Sequence, residues 1–223
     1  MTTPGRVRPH DLGKPRLRGW LHTYAFFVAA VAVVVLAGVA ATRPGLTPLV
    51  SVVVYGLTSC GLFGVSALYH RRVWTPRGFQ VMRRLDHAMI FVFIAGTYTP
   101  FSLLLLRPDS ATVILAVVWG GALAGAAMKL AWPHAPRLVS APLYVALGWV
   151  AVAVLPQLLH RGGVALFVLL VAGGLSYSVG AVCYALRRPN PWPGIFGHHE
   201  VFHAATLVAA VCHQVAIYLA LYA

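Results

Sequence analysis

The chain has 223 residues, is 60% hydrophobic and 9% charged, and has a mean hydropathy of +0.80. Soluble domains carry roughly 25% charged residues, so this composition excludes an ordinary water-soluble domain and indicates a polytopic membrane protein. The net charge of +13 does not indicate a nucleic-acid partner, because the basic residues fall in short connections between apolar runs, where they set orientation and favour anionic lipid headgroups.

A basic tail, residues 1–19, precedes the first apolar run. A helix crossing a bilayer needs about 20 mostly apolar residues. Seven runs meet that need: 20–41, 46–69, 86–106, 111–130, 138–158, 164–186 and 199–222. Breaker clusters divide them, namely TRPG at 42–45, TPRG at 75–78, RPDS at 107–110, WPHAP at 132–136 and RRPNPWPG at 187–194. The alternation of barrel strands is missing, so the predicted fold is all-α, a seven-helix transmembrane bundle over 20–223. AGVAA at 37–41 faintly resembles a cleavage site, but the run before it exceeds a signal core, and an uncleaved first helix is expected.

Orientation follows from Lys and Arg. Fourteen fall on one side: Arg6, Arg8, Lys14, Arg16, Arg18, Arg71, Arg72, Arg77, Arg83, Arg84, Lys129, Arg137, Arg187 and Arg188. Arg43, Arg107 and Arg161 fall on the other. The bias predicts a cytoplasmic N-terminus and an external C-terminus in the cell membrane. Small-residue stretches such as GGALAGAA at 120–127 and the pair at 173–174 read as close helix packing. Cys60, Cys183 and Cys212 lie in apolar runs and imply no disulfide framework.

Polar groups converge at one membrane level. The four acids are Asp11, Asp86, Asp109 and Glu200; Asp11 in the tail and Asp109 in an external loop read as solvated. In SALYH (66–70), Ser66 and His70 share one face near the cytoplasmic end of the second helix. RRLDHA (83–88) sets Asp86 at the start of the third, and HHEVFH (198–203) sets His199 and His203 one turn apart at the start of the seventh. Ionisable groups are costly in a membrane, so this cluster is a functional-site candidate.

The set suits zinc. Two His at i and i+4 with a third from elsewhere give three protein ligands and an open position, the pattern of catalytic sites. Zinc lowers the pKa of bound water to about 7. Asp86 can orient or deprotonate that water, or hold a ligating imidazole; Ser66 can bond a substrate carbonyl or oxyanion, or serve only in helix packing. His22, His134 and His160 read as wet interfacial side chains. His198 reads as capping or lining the entry to the last helix, and His87 as pointing to another face than Asp86. His213 lies about 15 Å deeper than His203 by helical rise, where it can line a cavity or bond across helices.

HEVFH at 199–203 also matches the H-E-x-x-H zincin motif, in which Glu is the general base. No acid follows Glu200, and the one downstream His is the deep His213. His70 is the better third ligand, and an intramembrane protease becomes the lesser alternative.

SALYH, RRLDHAMIFVFIAGTYTPF (83–101) and GHHEVFHAATLVAAVCHQ (197–214) resemble the hemolysin III family, the bacterial branch of the progestin and adipoQ receptor family within a superfamily that includes alkaline ceramidases. The resemblance spans roughly 20–222. It implies seven helices with a cytoplasmic N-terminus, a zinc ion near the cytoplasmic face held by His70, His199 and His203, Asp86 holding a zinc-bound water, and Ser66 nearby. Glu200 occupies a position that varies between branches and takes no firm role. The family name implies cytolysis, yet no polar-lined helix suggests a pore. The expected function is a zinc-dependent hydrolase of a membrane lipid amide or ester. The alternative is a non-enzymatic sensor or regulator, or a cytolysis-associated protein, with a structural zinc; a transporter is disfavoured because broken inverted repeats are not evident.

Overall fold

The computed structural model describes residues 14–132 and 134–223. Arg6, Arg8 and Asp11, with most of the basic tail, lie outside the described residues. Helices α1 (Trp20–Ala41), α2 (Thr47–Arg71), α3 (Pro76–Leu105) and α4 (Pro108–Ala131) follow in chain order. Then come α5 (Arg137–Gly148), a 3₁₀ segment (Trp149–Val154), α6 (Leu155–Leu186) and α7 (His198–Ala220). Among the described residues six stretches are long and apolar enough to cross a membrane; the fifth is the 50-residue run Arg137–Leu186. That one run contains two of the predicted spans, 138–158 and 164–186.

Within it the helical path breaks at Gly163, where φ is 75° and ψ 175°. Only glycine enters that region without strain. The arms on either side lie alongside each other: the Trp149 indole donates to Ser178 Oγ at 2.8 Å, and the Arg137 guanidinium sits 4.7 Å from the Tyr184 ring centroid. The 3₁₀ segment loosens the ladder between them, and one hydroxyl repairs it. Tyr98 Oη accepts from the Ala151 N–H at 2.7 Å and donates to the Gly148 carbonyl. Apolar surroundings demand such internal satisfaction of backbone groups.

The third predicted span begins at 86, whereas α3 begins ten residues earlier at Pro76. TPRG is thus a helix start rather than a linker. Thr75 Oγ1 accepts from the Gly78 N–H at 3.1 Å, and Pro76 fills the first turn, where a missing N–H costs nothing. Proline opens α2 and α4 in the same way, through Pro48 and Pro108.

Helix α3 is central and touches α2, α4, α5, α6 and α7, while α1 closes the bundle between α2 and α7. Apolar side chains such as Val28, Val31, Val34 and Val35 face outward on α1, while Tyr55, Phe63, Phe91, Phe93 and Ile217 fill the interior. This inversion of a soluble protein's surface is what lipid requires. Gly173 packs directly on His213 and so allows α6 and α7 to approach. The three cysteines are free and half-buried.

Candidate metal centre

The last turn of α2, the start of α7, the segment before α1 and the stretch of α3 around Asp86 meet at one end of the bundle. Asp86 lies ten residues inside α3 and not at its start. Gly19, at φ 82°, sits so close to His70 that a Cβ there would lie 2.6 Å from the His70 Cβ. The backbone N–H groups of Arg16 and Leu17 donate to the carbonyls of Gly194 and Ile195 at 2.9 and 3.1 Å. The chain ahead of α1 is therefore stitched to the loop that launches α7.

His70, His199 and His203 each turn a ring nitrogen to a common point, and these atoms all lie within 4.8 Å of one another. The Nε2 atoms of His70 and His199 are 3.1 Å apart. Helical spacing explains the α7 pair, since i and i+4 lie on one face; the bundle brings up His70. His70 and His203 are buried and His199 half-buried. Three imidazoles gathered this tightly can hold a metal ion, and they fit a tetrahedral ion with one position left over.

Asp86 and Ser66 are both buried. Asp86 lies outside the three-histidine group but lines the same cavity, as Ser66 does. Asp86 Oδ2 is 3.5 Å from His87 Nδ1, which bonds the Arg83 carbonyl at 2.8 Å. His87 thus shares the cavity with Asp86 instead of facing away from it. His213 takes both roles open to it: it lines the cavity, and its Nε2 lies 3.4 Å from the Leu170 carbonyl across the helix interface. His198, the first residue of α7, bonds Asn190 Oδ1 through its backbone N–H at 2.9 Å.

Glu200 is fully engaged. Its Oε2 accepts the Gly197 N–H at 2.9 Å, capping α7, and its Oε1 pairs with the Arg18 guanidinium. Only 1% of Glu200 is exposed. Removing it strands Arg18 and uncaps the helix. Glu200→Ala is expected to cost about 1–3 kcal/mol of stability, from the lost cap and the charged hydrogen bonds. Thermal melting measures that loss. Metal content should stay unchanged, whereas a zincin base would cost activity without a comparable drop in melting temperature.

His22 corrects the reading of it as a wet side chain. It is 2% exposed, and its ring stacks on that of His203 with centroids 3.7 Å apart and planes 6° from parallel. Neither ring nitrogen has a hydrogen-bond partner among the described residues. The available signal was its place: like His70 it stands at the basic end of its helix. His134 and His160 are exposed, as expected. Lys129 also departs from its reading as an orienting loop charge, being 2% exposed and donating to Ser140 Oγ.

The cavity these residues line measures about 510 Å³. It runs from the three histidines past Phe93, Ile94 and Tyr98 to Trp149 and His213 in the apolar interior. One end is polar and holds the three histidines; the other is lined by apolar and aromatic side chains.

A family model described as "Haemolysin-III related" matches residues 10–214. Hemolysin-3 homolog of Bacillus subtilis (strain 168) is 31% identical over 186 residues, covering 83% of this chain and 84% of its own. Hemolysin-3 of Bacillus cereus is 32% identical, over 71% and 69% of the two chains. Heptahelical transmembrane protein ADIPOR2 of Oryza sativa subsp. japonica is 35% identical, over 63% and 68%. With a matched model over most of its length and a multi-pass helical architecture to go with it, this chain belongs to the haemolysin-III-related family of membrane proteins.

Proposed function

We propose that the protein is a zinc-dependent hydrolase of membrane lipid amides or esters, crossing the membrane seven times with its N-terminus in the cytoplasm. The break at Gly163 and the side-by-side contacts of its two arms favour two crossings within Arg137–Leu186. The rice relative's name, "heptahelical", agrees. The bundle end that carries the histidines also carries most of the Lys and Arg residues, and the positive-inside rule assigns that end to the cytoplasm.

The observation that carries the catalytic reading is the meeting of three ligand nitrogens at the head of a cavity long enough for an acyl chain. The chemistry zinc supplies when bound is Lewis acidity at an open position, which lowers the pKa of water there to about 7. Asp86, the one carboxylate lining the cavity among the described residues, takes a proton from the attacking water and returns it to the leaving amine or alcohol. Ser66, one turn from His70 on the wall of the same cavity, donates a hydrogen bond to the oxyanion developing on the substrate carbonyl. The apolar depth of the cavity orients the chain and excludes bulk water. Glu200, with both oxygens occupied, is poorly placed to act as a protease base.

The test is direct. Purified protein is analysed for metal, loaded with zinc and incubated with a broad panel of lipid amides and esters. Release of a fatty acid from at least one of them is the expected result. A fully loaded protein that turns over none of the panel overturns the hydrolase reading and leaves a regulator with a structural zinc.

A further inference from the structure

The cavity holds a second polar feature that the hydrolytic reading does not use. Five cationic side chains line it: Lys14, Arg18, Arg83, Lys129 and Arg137. Arg18 is matched by Glu200, and Lys14 Nζ donates to the His70 carbonyl at 3.3 Å. For Arg83, Lys129 and Arg137 no carboxylate lies within ion-pair distance among the described residues. They arrive from three elements, α3, the last turn of α4 and the first residue of α5. All three line the same cavity as His87.

Two of them are held in a way that orientation alone does not require. A lysine at a helix end normally extends its ammonium to water. Lys129 instead is 2% exposed, and its one hydrogen-bond partner among the described residues is the neutral hydroxyl of Ser140. Arg137, half-buried, lies over the Tyr184 ring, and its Nη1 has no hydrogen-bond partner among the described residues. Burying cations without a counter-charge is costly. A neutral headgroup would not compensate it. An anion with several acceptor oxygens would, and guanidinium and ammonium donors together match phosphate.

We infer that Arg83, Lys129 and Arg137 form an anion subsite inside the cavity that takes the phosphate of a lipid headgroup while the acyl chain occupies the apolar depth. The inference rests on the lipid-hydrolase reading of the same cavity and names its substrate class as phosphate-bearing lipids. Three cations lining one cavity favour a phosphate over a carboxylate, which offers fewer oxygens and less charge. The subsite differs from headgroup attraction at loop surfaces, because its residues line the cavity and Lys129 among them is buried.

Binding is measured on the full chain in detergent, after chelator treatment, with four probes: dioctanoyl phosphatidate, dioctanoylglycerol, glycerol 3-phosphate and octanoate. Phosphatidate should bind at least about tenfold tighter than the other three, the effect of one or more charge-assisted hydrogen bonds. Lys129→Met should remove that advantage, and so should Arg137→Gln, which stands in if the lysine variant fails to melt cooperatively. Arg77→Gln, an exposed cation outside the cavity, should leave it intact. Equal binding of dioctanoylglycerol overturns the subsite. Equal binding of glycerol 3-phosphate shows a site for free phosphate esters, and equal binding of octanoate a carboxylate site; either overturns the proposal. An equal loss in Arg77→Gln reduces it to general surface charge. Because no turnover and no metal enter this assay, phosphatidate binding without hydrolysis in the lipid panel sinks the hydrolase reading alone.

Discussion

His203→Ala should strip the purified protein of zinc, taking elemental analysis from about one ion per chain to near none, since a three-ligand site does not survive on two. His203 is the residue to test because it is central: its ring faces those of His70 and His199, and His22 stacks on its outer face. An alanine there leaves a gap between α1 and α7 as well as removing a ligand. A fall in melting temperature is therefore expected too, and a His203→Phe variant separates the two effects. Phenylalanine keeps the stack and cannot coordinate, so it should restore part of the stability and none of the metal. Stoichiometric zinc in either variant would move the metal elsewhere.

Asp86→Ala is expected to do the opposite, keeping most of the zinc while lowering turnover by about 10²–10⁴, the usual contribution of a positioned acid–base group. The expectation comes from its position outside the group of ligand atoms but on the wall of the same cavity. Metal content and lipid hydrolysis are measured on one preparation. Loss of zinc in step with activity would make Asp86 part of the coordination. Unchanged hydrolysis would remove it from the chemistry.

Much of this arrangement was legible in the residues. Span lengths, the i, i+4 pair on α7 and the level of His70 on α2 suffice to put three imidazoles near one point, because helical geometry and membrane thickness leave few other arrangements. The start of α3 is not legible in the sequence: Thr75 and Pro76 resemble a linker, and only the Thr75 side-chain cap marks them as a helix start. The 3₁₀ turn at Trp149–Val154 was hidden as well, since it depends on Tyr98, about 50 positions away, offering its hydroxyl to freed backbone groups. His22 and Lys129 were misjudged for a shared reason. Both stand at helix ends, where sequence implies water, and only the packing of neighbouring helices encloses them.

The seam between residues 16–17 and 194–195 has a practical side. A reporter protein joined directly ahead of residue 14 would tug on the very strap that aims His199, whereas one appended after Ala223 would hang from the opposite end of the bundle. Dim signal or poor activity in an amino-terminal fusion would then reflect a disturbed centre rather than poor delivery to the membrane.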